Sequence, residues 1–146
     1  MEQIIDSHFQ ELKGLGVAKR AGQHNPLFSS PLAVVIKRDG NLRICGDYRV
    51  PNSIIVNNSF GLPHLPSFNN RFAGSRVFSI SDLKRAYYYQ IPIKKADRWK
   101  TAVHTPGRIY IFNYVSFGLK CVSQQFQALV DQLFADSREF VNAYID

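Results

Sequence analysis

Cysteine, tryptophan, methionine and acidic side chains are all scarce in this sequence, and the shortages remove whole classes of protein. The two cysteines, Cys45 and Cys121, lie far apart and form neither a metal-ligand spacing nor a disulfide framework. That excludes a zinc module and a disulfide-stapled scaffold, and a reducing compartment suits such a chain. No stretch approaches the ~18 apolar residues of a membrane span. Residues 1–13 carry Glu2, Asp6 and Glu11 and no continuous apolar run, so they do not read as a targeting segment. A soluble, intracellular chain without a membrane partner is expected. No internal repeat or low-complexity tract is present.

What is there is basic and aromatic. Lys and Arg number 18 against 11 Asp and Glu, a net charge of +7, and aromatic residues make up 13% of 146 residues. A chain of this length is one domain and buries about 68–70% of its unfolded surface without staples. Excess positive charge beside many aromatic rings favours a polyanionic partner. The charge is also uneven. From Lys84 to Arg108 the basic residues are Lys84, Arg85, Lys94, Lys95, Arg98, Lys100 and Arg108, facing the single acid Asp97. From Cys121 onward Asp131, Asp136, Glu139 and Asp146 face only Arg138. A binding groove beside a metal site fits this pattern, and so do two solvated faces of opposite sign.

Ile5, Phe9 and Leu12 fall on one helical face, with Gly14 and Gly16 as stop signals, so the chain should open on a helix. The β-branched run at residues 33–36, the turn dipeptide Asp39-Gly40 and the extended pattern at residues 42–45 predict a hairpin. Phe68 and Phe72 suggest a helical face ending at Gly74, before a short apolar strand at residues 77–80. A second hairpin is expected from residues 101–104, the turn Thr105-Pro106-Gly107 and residues 109–114. Val122, Phe126, Leu129, Val130, Leu133 and Phe134 give the clearest amphipathic helix, over residues 120–137. Residues 140–145 read as a final buried strand. The class is α+β.

Asp82 and Asp146 each follow an apolar strand. If those strands are neighbours, two carboxylates converge, and a hard cation such as Mg²⁺ would neutralise them. Each is equally an ordinary strand-end turn residue in solvent.

Four blocks carry a resemblance. Residues 76–91, RVFSISDLKRAYYYQI, are similar to the first palm motif of reverse transcriptases of gypsy-type long-terminal-repeat retrotransposons, in which a strand ends in Asp-Leu and an aromatic follows five residues after the Asp. Phe117-Gly118-Leu119 with Phe126-Gln127 resembles the family's FGL…FQ block. Ala143-Tyr144-Ile145-Asp146 resembles the start of its Tyr-x-Asp-Asp box, and residues 36–49, IKRDGNLRICGDYR, resemble its fingers hairpin.

The resemblance implies an RNA-directed DNA polymerase: fingers and partial palm of a right-hand fold, an antiparallel palm sheet with helices on one face, ending before the thumb. It puts fingers at about residues 17–60 and 92–115 and palm at about 61–91 and 116–146. It implies that Asp82 and Asp146 are catalytic ligands for two Mg²⁺ or Mn²⁺ ions about 3.5–4 Å apart. It assigns Lys37 and Arg43 to the triphosphate, where a point charge and a bidentate fork suit phosphate oxygens, or else leaves them as exposed hairpin residues. Leu83, Lys84, Arg85 and Ala86 would offer backbone N–H groups. Tyr87 would exclude a 2′-hydroxyl, its alternative being a packed core edge. Phe117 and Gly118 would flank the incoming deoxynucleoside triphosphate and the template base. Lys94, Lys95, Arg98, Lys100 and Arg108, with Trp99 and Tyr110, would line the path of an RNA or DNA template with its primer. His64 and His104 read as structural.

Three positions depart from the family pattern. Ser116 stands where Pro is usual, Ser123 where an Asn-Ala-Pro type sequence ends, and Gly46 where a β-branched residue is common and where glycine should weaken a strand. Two rival readings go with these departures: a catalytically dead nucleic-acid-binding remnant, and an unrelated basic α+β interaction domain.

Overall fold

The computed structural model describes residues 1–22, 26–38, 40, 42–57, 60–61, 72–83, 91–120 and 122–144. Helix α1 spans Glu2–Gly14 and buries Ile5, Phe9 and Leu12, the face expected from their spacing. Its end follows from backbone chemistry: the Gly16 amide donates to the Lys13 carbonyl and the Val17 amide to Leu12, with Gly16 at φ +71°. This is a Schellman ending, in which glycine takes the left-handed position without a Cβ penalty and two orphan carbonyls are satisfied.

The chain then enters β1 (Ala18–Arg20), the hairpin β2 (Leu32–Ile36) and β3 (Leu42–Gly46), and the short helix α2 (Arg49–Ile54). A 3-10 helix at Lys95–Thr101 follows, then β4 (Val103–Thr105), β5 (Arg108–Phe112), α3 (Val122–Leu133) and a 3-10 turn at Ala135–Ser137. Strands β1, β5 and β4 form an antiparallel sheet in that order, and among the described residues β2 and β3 form a separate two-stranded sheet. Pro106 and Gly107 close β4 onto β5. Proline fixes φ at the first turn position, and Gly107 takes φ +73° at the second. The α+β class holds.

The core lies between α1, the three-stranded sheet and the hairpin, with Phe9 stacked on Tyr110 at 4.6 Å between ring centroids. Burying a ring of this size contributes about 1.5–3 kcal/mol, and the stack about 0.5–1.5 kcal/mol more. Tyr110 is only 1% exposed. It therefore does not line a template path beside Trp99: it packs in the core against Phe9 of α1.

Two expected strands are irregular. Residues 77–80 carry no strand, with Val77 87% and Ile80 95% exposed. Residues 141–144 are likewise without regular structure. An apolar run becomes a strand only where a neighbour completes its ladder, and neither segment has one among the described residues. Among the described residues the antiparallel pairing lies in the two sheets above. The helix expected over residues 120–137 ends as regular α-helix at Leu133, leaving Leu133 and Phe134 exposed. The helical face expected around Phe68, and His64, lie outside the described residues. No helix among the described residues is long and apolar enough to cross a membrane.

Candidate functional site

The hairpin supplies the first part of the site. Its register sets Val35 opposite Arg43 and Val34 opposite Ile44. Because neighbours along a strand alternate faces, Ile44 enters the core and Arg43 stays exposed on the other side. The Arg43 guanidinium lies 5.7 Å from the centroid of the Phe117 ring. Such an arrangement is a cation–π contact, contributing about 0.5–1 kcal/mol at an exposed site. Arg43, Phe117 and Gly118, assigned separately from sequence, are thus brought together. Lys37 is exposed where β2 ends, its carbonyl accepting from the Gly40 amide at 3.0 Å.

Gly118 has φ +95°, and a Cβ there would stand 3.2 Å from the Gly46 carbonyl oxygen. Close approach of two backbones requires glycine at this place. Gly46 has a related reason. A Cβ on it would lie 2.5 Å from Cζ of Tyr48. Glycine at position 46 is therefore not a weakness in β3, as sequence reasoning expected, but the space in which the Tyr48 ring packs. Ser116 also has a partner, its hydroxyl donating to Tyr48 Oη at 3.1 Å.

Asp47 follows the hairpin and is gripped by Arg49 through Oδ1 and Oδ2, the shortest contact being 2.6 Å. Hydrogen bonds from Arg49 hold the Asp47 carboxyl below its ordinary range. Cys45 donates weakly to the Ala33 carbonyl, and burial pushes its thiol up.

The basic residues divide. Lys94 and Lys95 are exposed at the start of the 3-10 helix. Lys100 pairs with Asp97 at 2.6 Å and stands 5.9 Å from the Trp99 ring centroid, and Trp99 meets Phe28 edge to face. Arg98 turns inward: Nε donates to the Ile93 carbonyl and Nη1 to Asn113 Oδ1. Arg108 pairs with Asp6 of α1 at 2.6 Å.

Asp82 and Leu83 are exposed. Lys84, Arg85, Ala86, Tyr87 and Asp146 lie outside the described residues. Among the described residues no group of three or more His, Cys, Asp or Glu is placed to hold a metal ion; of the two carboxylates that the resemblance assigns to a metal, Asp82 is described and Asp146 is not. Sequence reasoning missed Tyr48 and Asn52. A signal was available: four residues apart at the start of α2, they share one helix face.

The family profile described as reverse transcriptase (RNA-dependent DNA polymerase) matches residues 35–146. The Transposon Tf2-3 and Tf2-7 polyproteins of Schizosaccharomyces pombe are each 27% identical over 147 residues, covering all of this chain and 11% of their own length. Among solved structures, the foamy viral protease-reverse transcriptase in complex with RNA/DNA hybrid aligns over 99% of the chain and 19% of its own length, with TM-score 0.78 and 20% identity. The prototype foamy virus protease-reverse transcriptase CSH mutant aligns over 97% and 18%, with TM-score 0.76 and 23% identity. The chain spans about a tenth of the curated relatives.

Proposed function

The chain belongs to the reverse transcriptase (RNA-dependent DNA polymerase) family, and we propose that it supplies the fingers and the first part of the palm of a retrotransposon polymerase that copies RNA into DNA. Fingers at about residues 17–60 and 92–115 and palm at about 61–91 and 116–146 belong to this reading. One observation carries it: the Arg43 guanidinium lies over Phe117, next to the backbone-tight Gly118. A planar fork held over an aromatic face beside a solvent-exposed glycine can meet phosphate oxygens on one side and a nucleotide on the other.

In this reading Arg43 and Lys37 grip the triphosphate of an incoming deoxynucleotide, Phe117 and Gly118 flank it, and residues 83–86 offer backbone N–H groups. Tyr87 excludes a 2′-hydroxyl. Asp82 and Asp146 would hold two divalent ions, taken to be Mg²⁺, which when bound activate the primer hydroxyl and neutralise the leaving pyrophosphate. Exposed Lys94, Lys95 and Lys100 beside Trp99 would meet template and primer phosphates. Arg98 and Arg108 serve the fold, through Ile93, Asn113 and Asp6.

The test is RNA-templated primer extension by the polymerase that contains this chain, with Arg43→Ala beside the wild type. Losing a charge-assisted contact to phosphate of about 1.5–3 kcal/mol should raise KM for the deoxynucleotide about 10- to 100-fold while leaving template-primer affinity in place. An unchanged KM would remove Arg43 from the site.

A further inference from the structure

Tyr48 and Asn52, one turn apart at the start of α2, hold a single loop between them. Tyr48 is 2% exposed, Ser116 1% and Thr101 4%. Their polar groups form a directed chain: the Ser116 hydroxyl donates to Tyr48 Oη at 3.1 Å, and Tyr48 Oη donates to the Thr101 carbonyl at 3.0 Å. Thr101 is itself fixed, its hydroxyl donating to the Arg98 carbonyl and accepting from the Phe112 amide. On the same loop, Asn52 Nδ2 donates to the Gly118 carbonyl at 2.7 Å, and Asn52 Oδ1 accepts from the Lys120 amide at 2.9 Å. Residues 116, 118 and 120 are therefore each tied, and Phe117 sits between two of the ties.

Accommodating the Tyr48 ring depends on the side chain missing from Gly46, whose Cβ would overlap Cζ, Cε2 and Oη of the ring. Gly118 in turn brings its backbone against the Gly46 carbonyl. Ser116 supplies the hydroxyl that the family's usual proline at this place cannot. Gly46, Tyr48, Ser116 and Gly118 thus fit as one set, and two positions that depart from the family pattern become halves of one contact.

We propose that Tyr48 is a positioning residue: through Ser116 and Thr101 its buried hydroxyl fixes the Phe117–Gly118 loop against the hairpin, and so sets the placement of Phe117 under Arg43. The inference rests on the nucleotide reading of that pair for its consequence, but not for its geometry. Buried polar networks favour one arrangement when fully satisfied, because each partner left alone is costly. Tyr48→Phe keeps the ring and removes the donor to Thr101 and the acceptor for Ser116. The loop then loses its fixed height, and the Arg43–Phe117 contact loses its register.

The experiment uses isotopically labelled chain. The Arg43 Nε–Hε signal feels the ring current of Phe117, and the Gly118 and Lys120 amides report the Asn52 ties. In Tyr48→Phe the Arg43 signal should move toward that of a free arginine and both amides should shift, while amides of α1 and β1 stay in place. A purely structural role would lower the melting temperature and leave these native-state signals where they were, which would overturn the proposal. Should Tyr48→Phe fail to fold, Ser116→Ala decides instead: it keeps the Tyr48–Thr101 bond, and unchanged Arg43 and Gly118 signals in it overturn the proposal equally. Adding a deoxynucleoside triphosphate separates this inference from the reading beneath it. Tyr48→Phe should weaken triphosphate binding about tenfold, the scale of one lost hydrogen bond. If the wild type shows no triphosphate-dependent shift at Arg43, the nucleotide reading fails, and the nucleotide-free signals still decide the role of Tyr48.

Discussion

Gly46→Ala is a one-carbon perturbation whose cost follows from the structure. The added Cβ would stand 2.5 Å from Cζ of Tyr48, 2.7 Å from Cε2 and 2.8 Å from Oη, so the ring must move. Overpacking a filled site costs about 1–3 kcal/mol. Moving the ring also breaks the bonds from Ser116 and to Thr101, and a buried partner left unsatisfied costs about 1–3 kcal/mol. Gly46 is not among the positive-φ glycines, so alanine should also regain about 0.4–1 kcal/mol by restricting the unfolded chain. The balance is a loss of about 2–4 kcal/mol, a fall in melting temperature of roughly 6–13 °C for a domain of this size. Gly14→Ala is the control. It ends α1 with nothing within 4 Å of a Cβ and should gain up to about 1 kcal/mol. Urea melts followed by fluorescence and far-ultraviolet circular dichroism measure both. If Gly46→Ala is as stable as Gly14→Ala, the Tyr48 ring does not occupy that space, and the explanation of Gly46 falls.

Three further outcomes are expected. Arg98→Ala should destabilise the chain by about 2 kcal/mol, because a charged donor to Ile93 and Asn113 is lost, without altering nucleic-acid affinity; a weakened affinity at full stability would return Arg98 to the binding surface. Three lysine contacts, at Lys94, Lys95 and Lys100, predict a slope of log affinity against log salt of about −2 for single strands, which Lys94→Ala with Lys95→Ala should reduce in size by about 1.4; a slope untouched by the pair would place the contacts elsewhere. For Asp47 the folded carboxyl titrates below its ordinary value because of Arg49, so its contribution is present above the unfolded carboxylate value and is lost as pH falls through the lowered one. Melting temperature measured from pH 7 down to 2.5 should therefore decline less in Asp47→Asn than in the wild type, and equal declines would show that the Arg49 pair contributes nothing.

Much of the framework was legible because local periodicity and turn chemistry agree with the final packing. The stripe Ile5, Phe9 and Leu12, the hairpin around Gly40, and the Pro106-Gly107 turn each stand where their residues place them. The 3-10 helix at Lys95–Thr101 was not legible, since KADRWKT has no apolar period to announce it. Strand β1 was missed because three residues become a strand only by pairing with β5. Charge alone could not separate Arg98 from Lys94: the difference lies in whether Ile93 and Asn113 stand within reach. Tyr110 and Trp99 are both aromatic residues in a basic stretch, yet one stacks on Phe9 in the core. At the candidate site the sequence pattern picked out Arg43, Phe117 and Gly118 but not the ties that hold them, because Tyr48, Asn52, Thr101 and Ser116 meet only across the fold.

The most direct measurement of the central reading is a deoxynucleoside triphosphate titration of the labelled chain, followed at every assigned backbone amide and at the Arg43 side chain. Saturable shifts are expected at the hairpin end around Lys37, at Arg43 and at Phe117 and Gly118 alone, and they should be lost in Arg43→Ala. Shifts confined to other surfaces, or shifts that survive Arg43→Ala unchanged, would contradict that reading.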